Sequence, residues 1–453
     1  MRLSHALCVL GLLGAFAARA DFSGAMKDYS AGNFEAAHAQ FLGLAELGDC
    51  FSQFNLGAMA LKGQGVARDR GAGVGWLQAA ASNGCAAQVG DKLPGLVASL
   101  SPEQTAAAAA VIARYGHDRL KALGVVDPVF SCPDRSPAVA SDTPAPDYPH
   151  LKGGRVADAL VITALTVGAD GRARDPQVLL AVPATAFPAA AVEAWLNSRF
   201  RPALHADAPV DSLLIAKLRF AGARGELAQV PEFKQALPRA AAGDPAAEYL
   251  VGVTATVDSD LGIDRARAGQ MLVDSARAGN ADAQYFIGMQ VRASAACHPL
   301  ADGQVWLQHA AAGGNPAAQV DVAAELLRGS PSPGQVAEAR ALLLSAVARD
   351  DYFARLHAVA LLAASPVSGV RDPQAALGGA RLLLAGEIQS DPQMFEGVAA
   401  AYAANQRFGD AVSQQRAALG KAWALGWKLD AMERRLAAYR ADSAWQGDLY
   451  AGR

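Results

Sequence analysis

The 453 residues contain no HExxH, no CxxC and no glycine-rich loop closing on Lys-Ser or Lys-Thr. The usual signatures of a zinc protease, a dithiol or zinc-ribbon site and a phosphate loop are therefore missing. Gly63-Gln64-Gly65, the nearest approach to a phosphate loop, lacks the Lys and is read as a turn. The eight histidines never place two on one helix face at four-residue spacing. The one adjacent Cys/His pair, Cys297-His298, would need two more ligands from elsewhere to hold zinc. Lys and Arg form no stripe interleaved with aromatics, and the formal net charge is −3, which argues against a nucleic-acid partner. Asp258 with Asp260, and Asp350 with Asp351, stand between helical stretches, where Asp caps helices. They are read as caps and not as catalytic dyads, and no nucleophile is paired with a base. These absences exclude recognisable catalytic, cofactor and metal chemistry and leave binding as the expected function class.

The N-terminus reads as a secretory signal: Arg2, an apolar stretch from Ala6 to Ala18, and the small-x-small site Ala18-Arg19-Ala20. A membrane span needs roughly 20 apolar residues, and Arg19 and Asp21 intervene first. No later segment is apolar enough to span a bilayer, so the expectation is a protein cleaved after Ala20, most naturally periplasmic. Such a compartment permits disulfides among Cys50, Cys85, Cys132 and Cys297. Stacked helices lie ~8 to 10 Å apart and a disulfide wants Cα atoms within ~7 Å. A Cys50–Cys85 bridge would thus need a local squeeze, and Cys132 either clips onto Cys297 or stays free.

What the chain has in abundance is a recurring unit. Gly48 and Gly84 start similar stretches 36 residues apart, and Gly243, Gly279 and Gly314 succeed one another at 36 and 35. Each opens on Gly, usually with Asp or Asn next, runs into an apolar helix and closes on an Ala-rich one. A helical hairpin of this period buries its apolar face only by stacking on a neighbour. In the first unit Gly57 lets two helices approach, Gly63 and Gly65 form the turn, and Trp76 packs near the end of the second helix. With Asp49, Gln53, Leu56, Asp69, Leu77, Ala80 and Ala81, these residues resemble a Sel-one-like repeat, a relative of the tetratricopeptide repeat. Ala399 to Leu419 resembles a tetratricopeptide hairpin, with a cap of Trp423, Trp427, Leu436, Tyr439 and Trp445 after it.

The middle changes period. Six prolines between Pro128 and Pro149 mark an extended connector and a boundary after the helix Pro102 to Leu123. Beyond it the order is strand (Ala159 to Val167), turn at Asp170-Gly171, strand (Gln177 to Val182), helix (Phe187 to Ser198) and strand (Ser212 to Phe220). Tyr148-Pro149 fixes an extended entry, Trp195 and Phe200 pin helix to sheet, and Pro202 stops the helix. This segment resembles the C-terminal domain of TonB energy transducers. The resemblance implies recognition of an extended receptor segment added as a strand to a sheet edge. The edge expected is Leu213, Leu214, Ile215, Ala216, Lys217, Leu218, Arg219 and Phe220, with Tyr148 and Pro149 at the entry. The competing reading makes Lys217 and Arg219 charges that block pairing.

The expected fold is mainly α: two helical-hairpin repeat arrays (21–125 and 226–445) flanking a small α+β domain (148–221), after a signal (1–20) and with a connector at 126–147. The expected function is non-enzymatic binding of proteins or peptides in the envelope, outer-membrane receptors among them, with no cofactor and no metal. The alternatives are a TonB-type transducer or transport accessory, and a cell-wall enzyme or glycan-binding protein.

Overall fold

Four junctions set the spacing of the helices. At Gly48, Gly243, Gly279 and Gly314 φ lies between 78° and 92°, a left-handed conformation that closes a helix without a Cβ clash. At each, the Gly N–H returns to the carbonyl three residues back, and the next N–H returns five back. Thus Gly48 bonds to Ala45 and Asp49 to Leu44, just as Gly314 bonds to Ala311 and Asn315 to Ala310. The side chain after the glycine caps the next helix: Asp49 accepts from Ser52 N at 2.7 Å, Asp244 from Ala247 N at 2.9 Å and Asn315 from Ala318 N at 2.8 Å. The Gly-Asp/Asn pair thereby ends one helix and starts another within two residues.

The computed structural model describes residues 22–126, 128, 132, 135–146, 159–183, 187–220, 227–295, 297–298 and 303–450. The expected signal at 1–20 and the entry Tyr148-Pro149 lie outside them. The fold is mainly helical with a few small sheets, and contacts divide the chain at Gly116/His117.

The first unit contains α1 (Phe22–Ser30), α2 (Phe34–Glu46), α3 (Cys50–Lys62), α4 (Arg70–Ala80), α5 (Ala86–Val89), α6 (Leu93–Ala98) and α7 (Pro102–Tyr115). Gly57 sits where a Cβ would meet Leu77 at 3.0 Å and the Gly73 carbonyl at 3.1 Å, so α3 and α4 are in close approach. Gly63 ends α3 in the left-handed region, and a Cβ on Gly65 would run into the Phe34 backbone. Trp76 stacks on Tyr115 with ring centroids 4.4 Å apart. Cys50 and Cys85 are bridged with Cα atoms 5.6 Å apart. The chain between α4 and α5 kinks at Gly84, φ 117°, immediately before Cys85.

The second unit opens with α8 (His117–Ala122). The helix expected to run from Pro102 to Leu123 is therefore two, broken at Gly116, and its second piece falls in the second unit. The Pro-rich connector supplies β1 (Arg135–Ser136) and β2 (Val139–Asp142), which pair with strands further on. Next come β3 (Ala159–Val167), β4 (Ala173–Val182), α9 (Pro188–Asn197), β5 (Arg199–Arg201), β6 (Ala203–His205), β7 (Ala208–Val210) and β8 (Ser212–Phe220). The strand expected from Gln177 thus begins four residues earlier.

The central sheet is antiparallel with order β4-β3-β8, beside the smaller pairings β1-β6-β7 and β2-β5. Pro202 sits between β5 and β6. Gly171, at φ 72°, turns between β3 and β4 against the Phe200 backbone, and Asp170 is paired with Arg174. Trp195 and Phe200 lie together in the cluster that joins α9 to the sheet.

The remaining helices are α10 (Pro231–Ala241), α11 (Pro245–Val257), α12 (Arg265–Arg277), α13 (Ala281–Ala293), α14 (Gln304–Ala312), α15 (Pro316–Leu326), α16 (Pro333–Val347), α17 (Tyr352–Ala364), α18 (Pro373–Ala385), α19 (Pro392–Ala404), α20 (Phe408–Leu425) and α21 (Asp430–Arg440), each packed on the next. Cys132 is bridged to Cys297 after α13, Cα to Cα 5.5 Å. Near the C-terminus, Arg435 of α21 meets Glu396 of α19 at 2.7 Å with both side chains almost fully buried. Trp427, Leu436 and Tyr439 are buried as the expected cap requires, whereas Trp423 is 75% exposed on the outer face of α20.

One of the four junctions departs from the others. Five residues after the junction glycine, Gln53, Gln284 and Gln319 each donate from Nε2 to the carbonyl three residues before that glycine, at 3.1, 2.9 and 3.4 Å. The unit starting at Gly243 places Glu248 there, buried. Burial, reinforced by Asp274 and opposed by Arg267, pushes its carboxyl up to about 7. An acid that holds its proton more tightly when folded makes stability fall as pH rises from the unfolded value of about 4.5 toward 7. Glu248→Gln should therefore melt higher than the wild type at pH 8, with the difference closing toward pH 4. Thermal denaturation across that range checks it, and a variant that melts lower at pH 8 contradicts it.

Candidate functional site

Strand alternation divides β8 between two neighbours. Leu214, Ala216 and Leu218 share an apolar cluster with Leu165, Trp195 and Phe200, and Phe220 packs with Val161, Phe187 and Ala191. That face meets α9. Leu213, Ile215, Lys217 and Arg219 turn the other way, toward the helices, where α11 and α13 touch β8. β3, between the other two strands, is buried along its length except at Thr166, as a strand covered on both faces must be.

The helices grip the sheet by polar contacts. Tyr249 of α11 donates its hydroxyl to the Leu179 carbonyl at 3.2 Å, and Tyr285 of α13 donates to Gln177 Oε1 at 2.8 Å. Both tyrosines stand six residues after a junction glycine, so the same place relative to the junction holds the same strand. Burial raises both phenols well above their ordinary range. On β4, Asp175 takes φ 51°. Its N–H donates to Gln393 Oε1 at 3.0 Å, and its carboxylate accepts from Gln393 Nε2 at 2.6 Å. His357 lies 3.4 Å from the same carboxylate.

Lys217 and Arg219 have a role that neither sequence reading assigned them. Lys217 Nζ is 2.7 Å from Asp258 Oδ2, and Arg219 is ion-paired with Asp260. The sequence makes Asp258 and Asp260 helix caps. Asp258 is the C-cap of α11, and its side chain, 1% exposed, also accepts from Asp260 N at 3.0 Å, whereas Asp260 caps neither α11 nor α12. This loop lies over the second half of β8 and fixes that end of the edge to the helical array. Asp351 caps α17 by accepting from Ala354 N at 2.7 Å.

The first half of the strand is different. Among the described residues β8 pairs with β3 alone, and Ser212, Leu213, Leu214 and Ile215 line a cavity of about 400 Å³ bounded by Cys132, Arg135 and the end of α13. Leu213 also lines a larger cleft, about 550 Å³, between the sheet and α13, α15 and α17. Most polar groups of that cleft are mutually engaged: Tyr285 with Gln177, and Arg292 with Asp321 at 2.7 Å. Burial works against the Arg292 charge, but Asp321 raises its affinity for the proton. Among the described residues no group of three or more His, Cys, Asp or Glu is placed to hold a metal.

The structure thus brings Leu213 to Phe220 into one edge strand and separates it into an open half and a half held by ion pairs. Sequence reasoning missed Arg135, hidden in a segment read as connector, and the carboxylates of the α11 loop. Comparison with protein-family models, characterised proteins and solved structures returns no match.

The Asp258 pairing has a measurable signature. Although burial works to raise it, hydrogen bonds from Lys217 and the Asp260 backbone and the nearby charges hold its carboxyl below the usual value of 3.8. Stability from such a group is present above the unfolded pKa and lost as pH falls through the folded one. Asp258→Asn should cost about 1 to 3 kcal/mol at pH 7, with the gap to wild type closing below pH 4. Equal denaturant midpoints at pH 7 would contradict the pairing.

Proposed function

We propose that this chain is a non-enzymatic envelope protein that binds protein or peptide partners by adding an extended segment to the open half of β8. In this reading the middle segment is a TonB C-terminal-like module and the helical hairpins are Sel-one-like or tetratricopeptide-type repeats, those of the second unit framing and stiffening the module. The observation that carries the reading is the edge itself. β8 ends the β4-β3-β8 order, and Ser212 to Ile215 border open space where the rest of the strand is engaged by Asp258 and Asp260. Strand addition draws affinity from main-chain hydrogen bonds and needs an unpaired edge beside a groove. A sheet whose middle strand is buried on both faces gives that edge a rigid backing. The two disulfides support residence in an oxidising compartment such as the periplasm.

A photo-crosslinking residue in place of Leu214, expressed in intact cells, should give discrete protein adducts. The same residue in place of Leu382, an exposed apolar position on α18, should give none. Equal capture at both positions, or no adduct at either, would contradict the reading.

A further inference from the structure

β3 is buried along its length except at Thr166, and that opening lies on the floor of the 550 Å³ cleft. Thr166, Asp175 and Leu213 bring one residue from each strand of the central sheet to this floor, α13, α15 and α17 form the walls, and Gly447 to Tyr450 close it from the end of the chain. That end is anchored. The Gly447 N–H donates to the Ala364 carbonyl at 2.7 Å, Leu449 is buried, and the Tyr450 hydroxyl donates to the Gln393 carbonyl at 3.3 Å. The cleft is thus a cavity built from sheet, helices and tail, within the ~300 to 1,000 Å³ typical of small-molecule sites. It lies on the helix-facing side of the sheet and not along its hydrogen-bonding edge.

Met289, Val320 and Leu361 give the walls an apolar character, and most polar groups there are spent on one another, so the body of a ligand must be apolar. His357 Nε2 is the exception: it is buried and has no hydrogen-bond partner among the described residues. It lies 3.4 Å from Asp175 Oδ1, and two aromatic rings stand beside the imidazole, Phe353 at 4.3 Å and Tyr450 at 5.2 Å between centroids. All four side chains line the cleft. Its guanidiniums are already matched, Arg292 to Asp321 at 2.7 Å and Arg328 to Glu325 at 2.8 Å, whereas Asp175 and Asp448 add two further carboxylates to the lining. An anion would have to break one of those pairs. A cation with N–H groups would meet a carboxylate, an imidazole nitrogen able to accept, and the faces of aromatic rings.

We infer that this cleft binds a small organic amine in its protonated form, with the ammonium at Asp175 and His357 beside the rings of Phe353 and Tyr450, and an apolar body lying toward Leu213 and Met289. Occupancy of this site does not require strand addition at β8.

The test titrates the full-length oxidised protein calorimetrically, at neutral pH, with benzylamine, phenethylamine, phenylpropylamine and phenylbutylamine, and with the alcohols and carboxylates of the same chain lengths. At least one amine should bind about tenfold or more tightly than its carboxylate counterpart, a difference of ~1.4 kcal/mol. Ala324→Phe, which fills the cleft from α15, should abolish that binding without lowering the melting temperature. His357→Phe, which keeps an aromatic ring and removes the nitrogen, should erase the preference for the amine over the alcohol. Carboxylates that bind as tightly as the amines would overturn the cationic assignment, and amine binding unchanged by Ala324→Phe would overturn the location. A preference that survives His357→Phe would overturn the role of that imidazole, and failure of every amine to bind the wild type would overturn the inference as a whole.

Discussion

Burying β3 on both faces is the constraint on which the second unit depends. A three-stranded sheet with one helix on one face would leave Leu160, Ile162 and Ala164 in water, yet all three are buried. The helical array supplies the missing cover. Because the sheet presents backbone carbonyls and polar side chains as well as methyl groups, the cover must also satisfy hydrogen bonds. Tyr249, Tyr285 and Gln393 do so along β4, and Asp258 and Asp260 do so along β8. Docking consumes one end of the edge strand and leaves the other beside open space. The candidate site is a consequence of how the sheet is covered.

The helices that provide this cover are spaced by backbone conformation more than by side-chain detail. A left-handed glycine followed by a capping Asp or Asn recurs at Gly243, Gly279 and Gly314, and at the last two a buried Gln returns to the carbonyl three residues before that glycine. Glu248 shows how strongly the position selects an amide: the acid is tolerated there with its proton retained more tightly than in water. Further along, Glu396 and Arg435 bury opposite charges against each other, with Gln415 donating to the same carboxylate oxygen at 3.2 Å. Removing one partner of such a pair is costly because the other charge remains buried. The pair therefore ties α19 and α21 together and fixes the geometry around Tyr439.

Much of this was legible in the sequence where a local rule decides the outcome. Gly-Asp punctuation located the helix junctions, and the alternating run from Ser212 to Phe220 gave the last strand its correct ends. Close helix approach at Gly57 was readable because only glycine leaves that space. Other features depend on partners distant in sequence. Prolines at 128 to 149 suggested a connector, but Arg135 and Ser136 find β6 and Val139 to Asp142 find β5, which no local pattern announces. Asp258 is a helix cap as its place suggests, but its pairing with Lys217, 41 residues earlier, has no local signal. The Cys50–Cys85 approach goes with a kink at Gly84 that average helix spacing does not anticipate. Glu248 left a signal that was overlooked, since counting from the other junction glycines places Gln53, Gln284 and Gln319 at its position.

Amide hydrogen exchange of the full-length protein at residue resolution tests the central claim directly, because it reads the two halves of β8 in one experiment. Amides of β3 should be among the slowest in the second unit. Amides that β8 directs at β3 should be slow along the whole strand, and of those directed outward, the ones at 217–220, beside the Asp258–Asp260 loop, should exchange more slowly than those at 212–215. Uniformly slow exchange from Ser212 to Phe220 would mean that the whole edge is already paired, and would contradict a strand half-held by the array and half-open to a partner.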